Sequence, residues 1–181
     1  MRLGVSGAHG TGKSTFVADL SDRLPGHIAV VEPYEALEDE GHEFPFPPTA
    51  GDYRLQLKRS IDHLRLPGER LIFDRTPLDF LAYLAVLGCA PDQEGSTDEL
   101  SPLFASLDAL ILLPMTTEVR ELLPTPDLPQ LAQAVDDALL NLAFCDPLDA
   151  WTEVPILQLD GPVDKRVETA TRLLGGLSAT R

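Results

Sequence analysis

Two cysteines in 181 residues, Cys89 and Cys145, are too few and too far apart for a disulfide framework or a zinc site, and both are expected as buried or half-buried free thiols. No apolar stretch has the length of a bilayer span, and Met1-Arg2 leads straight into the first apolar run without a secretory leader's profile. The expected location is the cytoplasm, with no membrane partner. Basic residues are scarce as well: 14 Lys and Arg stand against 29 Asp and Glu, a formal net charge of −15. A protein that binds DNA or RNA must neutralise several phosphates with Lys or Arg, so this balance argues against nucleic acid as a partner. The basic side chains cluster at Arg54, Lys58, Arg59, His63, Arg65, Arg70 and Arg75, interleaved with Asp52, Asp62, Glu69 and Asp74, the pattern of a solvated helix face.

The rest of the composition, 44% hydrophobic and 24% charged, is that of an ordinary globular chain long enough to bury one core, and a single domain over 1–181 is expected. Apolar runs at 3–6, 27–31, 71–74, 109–113 and 154–159 have the length and bounding residues of strands. Helical spacing occupies 16–20, 52–66, 78–87, 131–144 and 163–174, with Pro67-Gly68 ending the second and Pro77 opening the third. Residues 34–50 read as a crossover loop with at most a short helix, and 89–101 as a loop. Trp151 and Tyr83 belong in the core or at its edge. The alternation predicts an α/β domain of three layers, a five-stranded parallel sheet flanked by helices, with its ligand site at the carboxyl ends of the strands.

Between the first strand and the first helix, residues 7–15 read GAHGTGKST, a complete G-x-x-x-x-G-K-[ST] phosphate loop in the context it requires. Gly7, Gly10 and Gly12 let the backbone wrap an anion, and Thr11 and Thr15 complete the loop at the positive end of the helix. Lys13, expected to project from an exposed loop without packing, would reach the β- and γ-phosphates, and Ser14 would ligate Mg²⁺. His9 occupies a variable position and is expected to face away from the phosphates. Asp74, at the end of a hydrophobic strand, has the form of a metal-site acid. ATP and Mg²⁺ are the cofactors this pattern implies.

Two further segments narrow the reading. DRTPLDFLAYL, residues 74–84, resembles the Asp/Glu-Arg-Ser/Thr segment of deoxyribonucleoside kinases and related small-molecule kinases, and VVEPYEAL, residues 30–37, resembles their second-strand ending. The same signatures are similar to those of a group of predicted ATP-binding, AAA-type, kinase-like proteins. The resemblance covers about half of the chain. It implies a P-loop fold of the nucleoside and nucleotide kinase kind, with Glu32 as general base, Asp74 serving the metal, Arg75 clamping transferring phosphate and Gln56 reading a base. A small-molecule acceptor, a nucleoside or similar metabolite, is the implied substrate.

The chain departs from that pattern in the segment 116–129, which corresponds to the lid of such kinases and usually carries two or more arginines. Arg120 is the single basic residue in it. Either Arg120 and Arg75 suffice, or a second chain of a homodimer contributes, or phosphotransfer is weak or lost. The same shortage argues against a nucleoside monophosphate kinase, no Asn-Lys-x-Asp guanine reader is present for a GTPase, and the additional signatures of ABC and AAA+ machines are absent. Two readings remain: an ATP-dependent phosphotransferase, or an ATP-binding regulatory or switch protein.

Overall fold

The computed structural model describes residues 1–178; the last three residues of the domain expected over 1–181 lie outside the described residues. Five strands, β1 (Arg2–Ser6), β2 (Ile28–Val30), β3 (Leu71–Asp74), β4 (Ala109–Leu112) and β5 (Ile156–Gln158), form one all-parallel sheet in the order β2-β3-β1-β4-β5. The register sets Val5 beside Asp74 and Ser6 beside Leu112, so the carboxyl ends of the three central strands share one edge of the sheet. That edge is where ligands bind in open parallel sheets.

Side-chain alternation along the strands builds two cores. Leu3, Val5, Ile72, Ala109 and Ile111 face α1 (Lys13–Arg23) and α9 (Val163–Ser178), while Phe73, Leu110 and Leu112 face the opposite layer. That layer contains α3 (Ala50–Leu64), α4 (Pro77–Val86) and α8 (Pro129–Cys145). Every residue of α4 from Pro77 to Leu84 is buried, as expected for a helix packed on several sides. Trp151 is also in this core, its indole N–H donating to the carbonyls of Leu142 and Ala143.

Several expectations shift. Strand β2 stops at Val30, and Glu32 instead occupies the N-cap position of α2 (Pro33–Asp39), without a side-chain capping bond, and the first residue of that helix is the proline. Strand β5 is confined to three residues of the six read as a strand. The span 89–101 is not a loop: it holds α5 (Pro91–Glu94) and most of α6 (Thr97–Phe104), where Ser96 accepts from the Glu99 N–H and Leu100 and Phe104 are buried one turn apart. Within 116–129 lies α7 (Thr117–Leu122), capped by Thr116. Cys145 is exposed at the end of α8 and Cys89 is half-buried, so the expectation of buried thiols fails for Cys145. Arg54, Arg59 and Arg65 form surface ion pairs with Glu94, Glu40 and Glu99, as a solvated face should. Arg75 does not; it is buried. Among the described residues, no helix is long and apolar enough to cross a membrane.

Candidate active site

The phosphate loop leaves β1 at Ser6 and enters α1 at Lys13. Gly10 and Gly12 hold φ angles of 85° and 76°, a region that disfavours side chains and that the tight turn requires. Gly12 gives α1 no side-chain cap, so the free N–H groups of its first turn and the positive end of its dipole remain available to an anion. Thr11 turns its hydroxyl inward onto the Ala8 carbonyl at 3.0 Å, which leaves its backbone as the part that can meet a ligand. Ser14 and Thr15 are exposed.

Lys13 is not an exposed loop lysine: only 5% of it is accessible. Burial, then repulsion from Arg75, pull its pKa below the usual lysine value, and the carboxylates of Asp74, Asp79 and Glu32 oppose this. The site holds a cation under tension that an anionic ligand would relieve.

Arg75 organises the neighbouring acids. It follows β3 directly, with φ at 75°, a left-handed conformation that costs a non-glycine residue about 1–3 kcal/mol and persists only where the surroundings impose it. Its Nε donates to Glu32 Oε2 at 3.0 Å, and its Nη1 donates to the Gly7 carbonyl and to Asp79 Oδ1, both at 3.2 Å. The guanidinium lies 5.8 Å from the centre of the Tyr83 ring. Burial opposes its charge, but Tyr83 and then the carboxylates of Glu32, Asp79 and Asp74 outweigh that and raise its pKa. Burial likewise pushes the Glu32 carboxyl up, yet Arg75 and then Lys13 hold it below the ordinary carboxylate value, so Glu32 is ionised at neutral pH.

Asp79, which the sequence reading did not single out, is 1% exposed and joins these parts. Its carboxylate accepts the Gly7 N–H at 3.0 Å, the Thr76 N–H at 2.9 Å and Arg75, so one side chain caps α4, fixes the start of the phosphate loop and holds the arginine. The Thr76-x-x-Asp79 spacing ahead of an apolar run was its available signal.

Asp74 lies beside the loop with its pKa raised by burial, an effect that Lys13, Arg75 and the nearby Ser14 side chain oppose. Its Oδ1 is buried with no partner among the described residues, and a hard cation is the group that such an oxygen and a nearby hydroxyl suit. Among the described residues no three His, Cys, Asp or Glu side chains form a metal cluster, so Mg²⁺ here would rely on Ser14, Asp74, water and the oxygens of a bound nucleotide.

A cavity of about 360 Å³ opens beside this network, with Glu32 and Arg75 in its wall. Tyr34, Phe44, Tyr53 and Tyr83 line it together with Gln56. The Tyr53 and Tyr83 rings stack at 4.5 Å and 12°, and Tyr34 stacks on Phe44 at 4.5 Å. Gln56 is buried, its amide nitrogen donating to the Asp52 carbonyl at 3.3 Å. His9 lines the same cavity; burial, with Arg75 and Lys13 nearby, lowers its pKa and keeps it neutral. A second cavity of about 150 Å³ runs between Gly10 and the 116–129 segment and includes the exposed Arg120. That segment rests on the loop through apolar atoms. A Cβ at Gly10 would lie 3.2 Å from Pro126, and one at Gly12 3.0 Å from Leu123.

The structure thus brings Lys13, Ser14, Asp74, Glu32 and Arg75 into one crevice, with Gln56 on its far wall and Arg120 across the loop. No protein-family model and no curated protein matches the chain. Solved structures do. Deoxyadenosine kinase from M. mycoides superposes with a TM-score of 0.66 at 20% identity, covering 98% of this chain and 100% of that one. Thymidylate kinase from Candida albicans gives 0.62 at 13% identity over 97% and 91% of the two chains, and shikimate kinase from Aquifex aeolicus 0.57 at 17% over 99% of each. Identities this low speak for architecture, and together with the phosphate loop and the strand order they establish that the chain has the P-loop nucleoside and small-molecule kinase fold.

Proposed function

We propose that the protein is an ATP-dependent phosphotransferase that moves the γ-phosphate of ATP to a hydroxyl of a small molecule, a nucleoside or a similar ring-bearing metabolite. One observation carries this reading: an ionised carboxylate, Glu32, is held by Arg75 in the wall of an aromatic-lined cavity that adjoins the phosphate loop. Such a carboxylate is suited to accept the proton of an acceptor hydroxyl as its oxygen attacks the γ-phosphorus, while the bond to the β,γ-bridging oxygen breaks and ADP leaves. The backbone N–H groups of Gly10, Thr11, Gly12 and Thr15 cradle the phosphates, while Gly7, expected among them, has its N–H taken by Asp79 and its carbonyl by Arg75 and anchors the start of the loop; Lys13 neutralises charge on the transferring group. Mg²⁺ held by Ser14 and Asp74 would supply further neutralisation of the β- and γ-oxygens. Arg75 orients Glu32 and Arg120 approaches from the lid side.

The cavity wall also bears on the acceptor. The charge of Arg75 is met by Glu32 and Asp79, and His9 is neutral, so among the described residues that line the cavity no unpaired cation awaits a phosphate or carboxylate on the acceptor. Stacked aromatic rings and the Gln56 amide suit a flat, uncharged ring. Among the acceptors that the structural neighbours are named for, this favours the nucleoside over thymidylate and shikimate. A second reading, an ATP-binding switch with weak or lost transfer, draws on the single arginine of the lid and its apolar seat on the loop.

The test is ADP release from Mg·ATP in the presence of nucleosides, nucleoside monophosphates, sugars and shikimate. Release is expected with a nucleoside and not with the anionic acceptors. Saturable ATP binding with no ADP release for any acceptor would favour the switch.

A further inference from the structure

Arg166, in the first turn of α9, is 1% exposed, and its position 155 residues along the chain from Thr11 gave the sequence no way to associate the two. Its Nη1 donates to the Thr11 carbonyl at 2.6 Å, a short, charge-assisted hydrogen bond. Its Nε and Nη2 are buried and find no acceptor among the described residues. Burial lowers its pKa, and Asp160, Glu118 and Asp136 offset this only through space. A guanidinium kept in such a place is costly, and among the described residues the loop carbonyl is the one hydrogen-bonded contact that its charge makes.

That carbonyl belongs to the peptide joining Thr11 to Gly12, in the turn where Gly10 and Gly12 both have positive φ. In a trans peptide the C=O and the following N–H point in opposite directions. Drawing the Thr11 carbonyl towards Arg166 therefore aims the Gly12 N–H to the opposite side, into the concave face of the loop. Gly12, on one side of that peptide, gives it freedom to rotate, and the inward-turned Thr11 hydroxyl, bonded to Ala8, does not hold its carbonyl.

We propose that Arg166 is a positioning residue for the donor triphosphate: by fixing the Thr11–Gly12 peptide from behind, it keeps the loop in its anion-binding form and adds a buried positive charge on the far side of the bound phosphates. The inference rests on the phosphate-loop reading given above and adds a residue that touches no ligand. Because it acts through the backbone, it is indifferent to the base. Its removal weakens every ligand that offers a triphosphate.

The experiment is calorimetric titration of Arg166→Met, Arg166→Lys and Lys13→Ala with Mg·ATP, Mg·GTP and Mg·tripolyphosphate, alongside thermal melts of the unliganded proteins. Arg166→Met is expected to lose affinity for all probes that bind the wild type, alike and on the order of tenfold to a hundredfold, the effect of a hydrogen bond from a charged group. Arg166→Lys, which keeps the charge but not the reach or the fork, should fall between the two by about threefold to tenfold from the wild type. Should Arg166→Met fail to fold, that intermediate loss on tripolyphosphate carries the test. Wild-type affinity in a variant whose melting temperature alone has dropped would overturn the proposal, as would a loss confined to the nucleotides. Lys13→Ala separates the two levels: if it binds tripolyphosphate as the wild type does, the phosphate-loop reading itself fails; if it loses binding while both Arg166 variants keep theirs, only the role of Arg166 fails.

Discussion

The buried Arg75 and the partly buried Glu32 each keep the other ionised, and the proposed chemistry depends on that pairing. Glu32→Gln preserves size and hydrogen bonding but removes the proton acceptor. ATP affinity should hold in this variant while transfer falls by roughly 10²- to 10⁴-fold, the contribution of a positioned general base. Turnover at the wild-type rate on an identified acceptor would remove Glu32 from the mechanism. The pairing also has a pH signature. Because the folded-state pKa of Glu32 is depressed, its contribution to stability is full above the unfolded carboxylate pKa and is lost as pH falls through the lower folded value. Melts of Glu32→Gln between pH 7 and pH 3 should therefore show a flatter acid limb than the wild type; equal slopes would show that the pair adds nothing. At this scale the sequence was readable where chemistry is local: the spacing of Gly7, Gly12, Lys13 and Ser14 is a motif because one continuous stretch of backbone makes the site. It was silent on Asp79 and Arg166 as loop partners, because their contacts span 72 and 155 residues and leave no periodic trace. Lys13 was misjudged as exposed for a related reason, since the acids that enclose it come from two other strand ends.

Helix α4 illustrates how one element serves both fold and site. Thr76 and Asp79 form its capping box, Pro77 opens it, and its first turn delivers the Asp79 carboxylate to the Gly7 N–H. Removing that carboxylate takes away a cap and leaves Arg75 and two backbone N–H groups short of an acceptor. Asp79→Ala should cost about 3 kcal/mol, within the range for breaking one side of a buried ion pair, and lower the melting temperature by roughly 10 °C. Scanning calorimetry checks this, and a shift of less than about 2 °C would mean that the carboxylate is dispensable to the loop. Strands and long helices were legible because their apolar period is strong. The short helices α5 and α6 were missed because Pro, Gly, Ser and acids outweighed the two buried positions, Leu100 and Phe104, although Ser96-x-x-Glu99 is an N-cap pattern. Strand β5, an edge strand with half-exposed residues, was read too long because hydrophobicity alone does not mark where pairing ends.

For the molecule as a whole, a net charge of −15 sets what can approach it. Cations gathered at the phosphate loop offer a local attraction for a compact, Mg²⁺-neutralised anion, but a polynucleotide meets the repulsive field of the entire surface. No gel shift with micromolar DNA or RNA oligonucleotides is expected at 0.15 M salt, where the screening length is about 8 Å; a shift would restore a polynucleotide acceptor to consideration. The central claim is that the crevice at the carboxyl ends of β1 and β3 is a nucleotide site organised around Lys13. Calorimetric titration of Mg·ATP into the wild type and Lys13→Ala, both first shown to melt cooperatively, tests it most directly. The wild type should bind at one site per chain, and the variant should lose on the order of a hundredfold or more in affinity, as expected for a charge-assisted contact to phosphate. Equal affinity in the two proteins would contradict the assignment.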